Sequence, residues 1–242
     1  MPEIRIKNIS KTYVSEFKRE KKIAVENFSL TIHSAESFGI IGRNGAGKST
    51  TIKMIMGFIK PDKGDIIIDD KKPSDPDSRL NVGYLPENPY FYDNLSAEEL
   101  LKFSSYTSGL DKKTAEKRIN TLLNQVGLYA VRKQRLRTYS KGMTQRVGIC
   151  FALIHDPDII ILDEPMSGLD PFGRKMVIDL IEDLKKRGKT ILFCSHILND
   201  VERICDRVAI MDSGTLKGIF TKQHVLENEG MEKLFLTLVR EK

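Results

Sequence analysis

An α/β fold, with a parallel-sheet core, a small antiparallel β unit flanking it at the N-terminal end and an inserted α-helical unit, is predicted by three observations. Three apolar runs, Ser37 to Ile41, Ile159 to Leu162 and Thr190 to Cys194, lack strict alternation, as central parallel strands buried on both faces do. Each run gives way at once to polar or glycine-rich residues: Gly42 onward, Asp163-Glu164, and Ser195-His196. Segments with helical spacing fill the gaps between them. Ligands of open α/β sheets lie beyond the carboxyl ends of the strands, so these three tips are expected to converge on one site.

The flanking sheet rests on Glu3 to Ile6, Val25 to Ile32 and, after the Lys63-Gly64 turn, Asp65 to Ile68, which read as short alternating strands. A helix over Lys48 to Gly57 presents Ile52, Ile55 and Met56 on one face and closes at Gly57 and Pro61. Ser96-Ala-Glu-Glu99 is a capping-box signature opening a mainly helical region whose last helix stops before Pro157; the insert is placed at about 88–156. From Leu169 to Lys186, Met176, Val177, Leu180, Ile181 and Leu184 recur at helical spacing. Lys185-Lys186-Arg187 before Gly188 then reads as a helix C-terminus. Met231, Leu234, Phe235 and Leu238 give a helical tail, about 222–242, expected to pack on its own domain. The whole of 1–242 is read as one domain.

With 242 residues, 40% hydrophobic and 30% charged, the composition is that of an ordinary globular protein. Met1 to Tyr13 lack an apolar signal core and Ile159 to Leu162 is far too short to span a bilayer, so the chain is expected not to cross a membrane. Cys150, Cys194 and Cys205, odd in number and set among apolar residues, read as buried reduced thiols suited to the cytosol. The net charge of +6 favours an acidic partner: a nucleotide, a nucleic acid or an anionic membrane surface. Lys18 to Lys22 and Arg132 to Arg137 read as solvated loops in preference to docking patches.

Gly42-Arg43-Asn44-Gly45-Ala46-Gly47-Lys48-Ser49-Thr50 carries the pattern G-x-x-x-x-G-K-[ST] between a strand and a helix, the mark of a P-loop NTPase core. It sets backbone N–H groups, a helix N-terminus and a lysine around a polyphosphate. Gly42, Gly45 and Gly47 are expected to take positive φ and admit the phosphates without a Cβ. Lys48 reaches the β- and γ-phosphates, and the Ser49 hydroxyl ligates Mg²⁺. At the second strand tip, Asp163 is placed to hold Mg²⁺ and Glu164 to polarise a water for attack on the γ-phosphate. His196, ending the strand that points at the nucleotide, is assigned a γ-phosphate contact.

These residues, with Tyr139-Ser140-Lys141-Gly142-Met143 upstream of Asp163, resemble the nucleotide-binding subunit of an ATP-binding cassette (ABC) transporter over nearly the whole chain. The resemblance implies that Ser140, Lys141, Gly142 and Met143 form the signature segment. Together with Asp170 of the Ser167 to Asp170 loop, they would contact ATP held by a second subunit. Ser140 is a natural N-cap, which makes the segment an anion site. The resemblance places adenine on Tyr13, with Phe17 as the alternative, and puts Glu87 where the family has a glutamine facing Mg²⁺. Glu87 and Lys141 depart from the usual residues and are familiar in the branch resembling ABC-2-type exporters. ATP and Mg²⁺ are the implied cofactors. The implied partners are a second ATPase subunit and a transmembrane permease, with no nucleic acid, and the implied location is the cytoplasmic face of the membrane. A soluble ABC-type ATPase, for instance in iron–sulfur cluster assembly, remains the alternative. A GTPase lacks support because no Asn-Lys-x-Asp segment occurs.

Overall fold

The structure, a computed structural model, describes residues 3–14 and 20–239. Its main sheet contains β3 (Ser37–Ile41), β5 (Val82–Leu85), β6 (Ile159–Asp163), β7 (Thr190–Ser195), β8 (Arg207–Asp212) and β9 (Thr215–Thr221) in the order β5-β6-β7-β3-β8-β9. All neighbours run parallel except β8 and β9, an antiparallel hairpin at one edge. Every residue of β3, β6 and β7 is buried, as predicted from their continuous apolar character. Alternate side chains enter different cores. Ile41, Ile160, Leu162, Ile191 and Phe193 face one, while Phe38, Ile40, Ile161 and Leu192 face the other.

The flanking sheet is β2-β1-β4, formed by β1 (Ile4–Val14), β2 (Lys21–Ile32) and β4 (Lys63–Ile68), all antiparallel. Each strand is longer than the alternating segment that marked it. In β1, register shifts between Ile6 and Ile9 and between Lys11 and Thr12 interrupt the alternation, so the strand continues where its pattern stops. This sheet shares the second core with Ile52 and Ile55 of α1 (Lys48–Ile55).

The helical insert comprises α2 (Ala97–Thr107), α3 (Lys112–Gln125) and α4 (Lys141–Leu153). The capping box at Ser96 is present: its Oγ accepts from Glu99 N–H at 3.2 Å, and its own N–H donates to Glu99 Oε2 at 2.8 Å. Leu100, Ile119, Leu123 and Val147 join this insert to the first core. Arg132 and Arg135 of the basic loop pair with Glu98 and Glu99 of α2, each at 3.3 Å, so they brace the insert. α5 (Pro171–Lys186) begins two residues later than the apolar spacing suggested, because Asp170 caps it and Pro171 opens it. It ends at Arg187 with Gly188 at φ 75°. α6 (Leu198–Ile204), α7 (Lys222–Glu227) and α8 (Met231–Leu238) complete the fold, with Met231 and Leu234 buried in the first core as the tail spacing predicted. Cys150, Cys194 and Cys205 are free and buried. Among the described residues, no helix is long and apolar enough to cross a membrane.

Candidate active site

The parallel register brings the three strand tips level. Ile41 lies opposite Ser195, and Asp163 opposite Cys194. The predicted convergence is therefore a direct result of strand pairing. Beyond these tips lies a cavity of about 370 Å³. Its floor is Asn44, Gly45, Ala46, Gly47, Lys48, Ser49 and Thr50; its walls are Tyr13, Glu87, Glu164 and His196. Lys22 and Ala24 of β2 also line it. Lys22 was expected only as part of a solvated loop; its place comes from its pairing with Tyr13 across the β1–β2 hairpin, a register that local pattern does not reveal. Phe17, the alternative to Tyr13, lies outside the described residues.

The loop before α1 is tight. Gly47 has φ 105°, and a Cβ there would lie 2.4 Å from the Ala24 carbonyl oxygen. It caps α1 with no side-chain acceptor, so the first-turn N–H groups stay directed at the cavity. Gly42 departs from the expected positive φ. It is glycine because a Cβ would sit 2.5 Å from the Met211 carbonyl oxygen. Gly42 and Arg43 face a neighbouring cleft shared with Asn44, His196, Leu198 and Phe235, and their carbonyls accept hydrogen bonds from Lys48 Nζ at 2.7 and 3.5 Å.

Lys48 is buried, with Nζ 3.6 Å from Glu164 Oε1. The other carboxylate oxygen of Glu164, Oε2, lies 2.8 Å from His196 Nδ1 and accepts from the His196 N–H at 3.4 Å. Glu164 thus links a fixed cation to an exposed imidazole. Its backbone is left-handed, φ 51°, a cost of about 1 kcal/mol or more for a residue bearing a Cβ. Three hydrogen bonds hold it there: its N–H donates to Cys194 O at 2.9 Å, and its C=O accepts from Ser167 N–H at 3.0 Å and from Gln145 Nε2 at 3.2 Å.

Asp163 is buried, and Ser49 beside it favours the charged form of its carboxylate. Desolvation, with the Glu164 and Glu87 charges, outweighs Ser49 and Lys48 and pushes its pKa up to about 6. Its Oδ1 is buried with no hydrogen-bond partner. A carboxylate oxygen left unpaired next to a hydroxyl is a donor set suited to a hard cation such as Mg²⁺.

Ser140, Lys141, Gly142, Met143 and Asp170 do not line this cavity. Ser140 caps α4, its Oγ accepting from Met143 N–H at 3.2 Å, and it is exposed. Lys141 is exposed as well. Gly142 packs on the loop before α5: a Cβ there would lie 2.7 Å from the Gly168 carbonyl oxygen. The Asp170 carboxylate accepts from Gly173 N–H at 2.7 Å.

The family profile described as "ABC transporter" matches residues 25–167. Two uncharacterised ABC transporter ATP-binding proteins, one from Synechocystis sp. and one from Nostoc sp., are each 45% identical over 93% and 81% of this chain; the chain spans 64% and 59% of their lengths. The linearmycin resistance ATP-binding protein LnrL of Bacillus subtilis is 36% identical over 94% of this chain and 72% of its own. Among solved structures, an ATP-binding subunit of an ABC transporter superposes with TM-score 0.87 at 31% identity, covering 97% of this chain and 98% of that one. The dimeric post-hydrolysis state of the cassette MJ0796, bound to ADP and Pi, superposes with TM-score 0.83 at 26% identity over 90% and 98% of the two chains.

Proposed function

This chain belongs to the ABC transporter family, and from that premise we propose that it binds and hydrolyses ATP to power a separate transmembrane subunit, in the direction of export. The observation that carries the reading is a single cavity containing Lys48, Glu87, Glu164 and His196, next to an unpaired Asp163 oxygen. Tyr13 stacks on adenine at the open end. Amides of Gly42 to Thr50 and the Lys48 ammonium hold the phosphates. Ser49 and Asp163 would hold Mg²⁺, with Glu87 of the same cavity as a further carboxylate toward it; when bound, the ion would neutralise charge on the β- and γ-phosphates.

Glu164 takes a proton from the attacking water. The water oxygen bonds to the γ-phosphorus, the bond to the β–γ bridging oxygen breaks, and ADP and inorganic phosphate leave. His196, on Glu164 Oε2, orients that carboxylate and reaches the γ-phosphate. A second copy, arranged head to tail, brings Ser140, Lys141, Gly142, Met143 and Asp170 to the exposed side of the nucleotide. The dimeric cassette with ADP and Pi supports this arrangement, as does the exclusion of those residues from the cavity of their own chain. ATP favours the closed pair because the signature residues touch it only when closed.

The transmembrane subunit docks near Glu87 and the helical insert. Support comes from an apolar groove of about 450 Å³ reached directly from Pro86, with Tyr90 and Tyr92 89% and 78% exposed beside it. The chain then sits peripherally on the cytoplasmic face of the membrane. The resistance function in the name of LnrL supports export. The test is ATP turnover by the purified chain, with GTP as competitor, joined to co-purification from membranes. Mg²⁺-dependent ATPase activity with a multi-span protein as partner supports the reading. Soluble scaffold proteins in its place would favour a soluble cassette ATPase, and indifference to adenine nucleotides would remove the nucleotide site.

A further inference from the structure

Gln145 is a buried polar side chain that touches the backbone of Glu164 and that the mechanism above does not use. It lies on α4 five residues after Ser140, is 1% exposed, and spends its Nε2 on the Glu164 carbonyl at 3.2 Å. A glutamine facing into the core of an insert is costly unless its bond has a purpose. Here it holds one end of a segment whose other end α4 also holds. Gly142 lies against the Gly168 carbonyl, and a Cβ at Gly168 would meet the Lys141 side chain at 3.0 Å. The stretch from Glu164 to Gly168 is therefore clamped to α4 at both ends.

The clamp matters because Glu164 sits at φ 51°, a conformation that neighbouring atoms must impose. Cys194 O fixes its N–H, and its C=O accepts from Ser167 N–H at 3.0 Å within the turn and from Gln145 Nε2, the bond that ties the turn to α4. With the Gln145 bond removed, the turn that Ser167 N–H closes onto the Glu164 carbonyl loses its tie to α4 and can shift as a unit, carrying the carboxylate off the axis set by His196 and Lys48. The helix that provides the bond is capped by Ser140, the residue assigned to the nucleotide of the opposite copy. Five residues of α-helix rise about 7.5 Å, too short a span to bend appreciably.

We propose that Gln145 is a positioning residue for Glu164, and that α4 is a strut by which contact with ATP held by a second copy of this chain, sensed at Ser140, aligns the carboxylate in the chain's own cavity. This rests on the head-to-tail ATPase reading above. Each copy's hydrolysis then depends on its partner's nucleotide, through a bond that touches neither.

The experiment uses the full chain carrying Gln145→Met, which keeps the volume and removes the donor, and Gln145→Glu, which keeps the shape and replaces the amide nitrogen with oxygen. In both, KM for ATP is expected to stay within about threefold while kcat falls about 10- to 100-fold, the loss typical of a misplaced catalytic group. The Hill coefficient for ATP, above 1 in the unsubstituted chain, is expected to fall toward 1. In a Glu164→Gln background, measured in single-turnover mode, Gln145→Met changes the residual rate less than about twofold, because its effect passes through Glu164. A structural role would lower the rate equally in both backgrounds. Unchanged kcat in both variants, or equal losses in both backgrounds, overturns the positioning role. Hyperbolic kinetics in the unsubstituted chain overturns the strut and leaves the ATPase reading standing. Absence of ATP turnover in that chain overturns both readings together.

Discussion

Replacing Asp163 with asparagine should stabilise the nucleotide-free protein at neutral pH and leave it unchanged in acid. The reason is the carboxyl's position: buried, beside Glu164 and Glu87, with its pKa moved from 3.8 to about 6. A carboxyl whose pKa is raised by folding binds more protons folded than unfolded between those values. Its contribution to stability is therefore lost as pH rises through about 4 to 6. The shift of about 2 pK units corresponds to roughly 3 kcal/mol at 1.36 kcal/mol per unit, an upper figure because site water relaxes part of it. Asparagine keeps the shape and a partner for Ser49 without the charge. Urea unfolding of both proteins, in metal- and nucleotide-free buffer from pH 4 to 8, measures the effect. The stability difference should grow in favour of Asp163→Asn across the window and level off near pH 7. Groups such as Glu98 and Asp158, whose pKa values are lowered by Lys102 and by Asn81 and Lys189, titrate alike in both proteins and cancel. A difference that is absent at pH 7.5, or equal at pH 4 and 7.5, would refute the argument. The cost identified here is the one a bound divalent cation removes.

Glu164→Gln should retain ATP affinity while turnover falls about 10²- to 10⁴-fold, the usual share of a general base, and the dimer should persist with ATP in sedimentation. Undiminished turnover takes the base role away from Glu164. Lys48→Ala should weaken ATP binding about 10- to 100-fold by equilibrium dialysis, since it deletes a charge-assisted contact. Unchanged affinity contradicts the phosphate cradle. Ser140→Ala should cost about 1 kcal/mol of stability through the lost cap and weaken ATP-driven dimerisation; a fully retained dimer constant would move the anion contact elsewhere. Tyr13→Ala should lower ATP affinity about 5- to 100-fold, the worth of one base stack, with Tyr13→Trp restoring it, and an unaffected constant would reassign the adenine contact.

The centre of the molecule was legible because its signals are local. A strand buried on both faces has no reason to alternate, so β3, β6 and β7 announce themselves, and parallel pairing then places Gly42, Asp163 and His196 together. What escaped prediction depends on distant partners. β8 carries a short apolar run, Val208 to Met211, that has meaning only beside β3, and β9 is a half-buried edge. Bulges hid most of β1. Gly42 was read as conformationally special, whereas its need is room for the Met211 carbonyl. Gln145 gave no signal at all, since a glutamine in a helix reads as surface until the left-handed turn at Glu164 supplies a carbonyl for it.

The three thiols carry a practical consequence. Burial pushes Cys150 and Cys205 up to about 12 and raises Cys194 as well, so at neutral pH none offers a nucleophile to a water-borne reagent. Spectroscopic probes attached to a single introduced surface cysteine will therefore report from that address alone, without stripping the native sulfurs from the interior. Distances between two labelled copies, followed as nucleotide is added and consumed, can be read in the otherwise unaltered molecule.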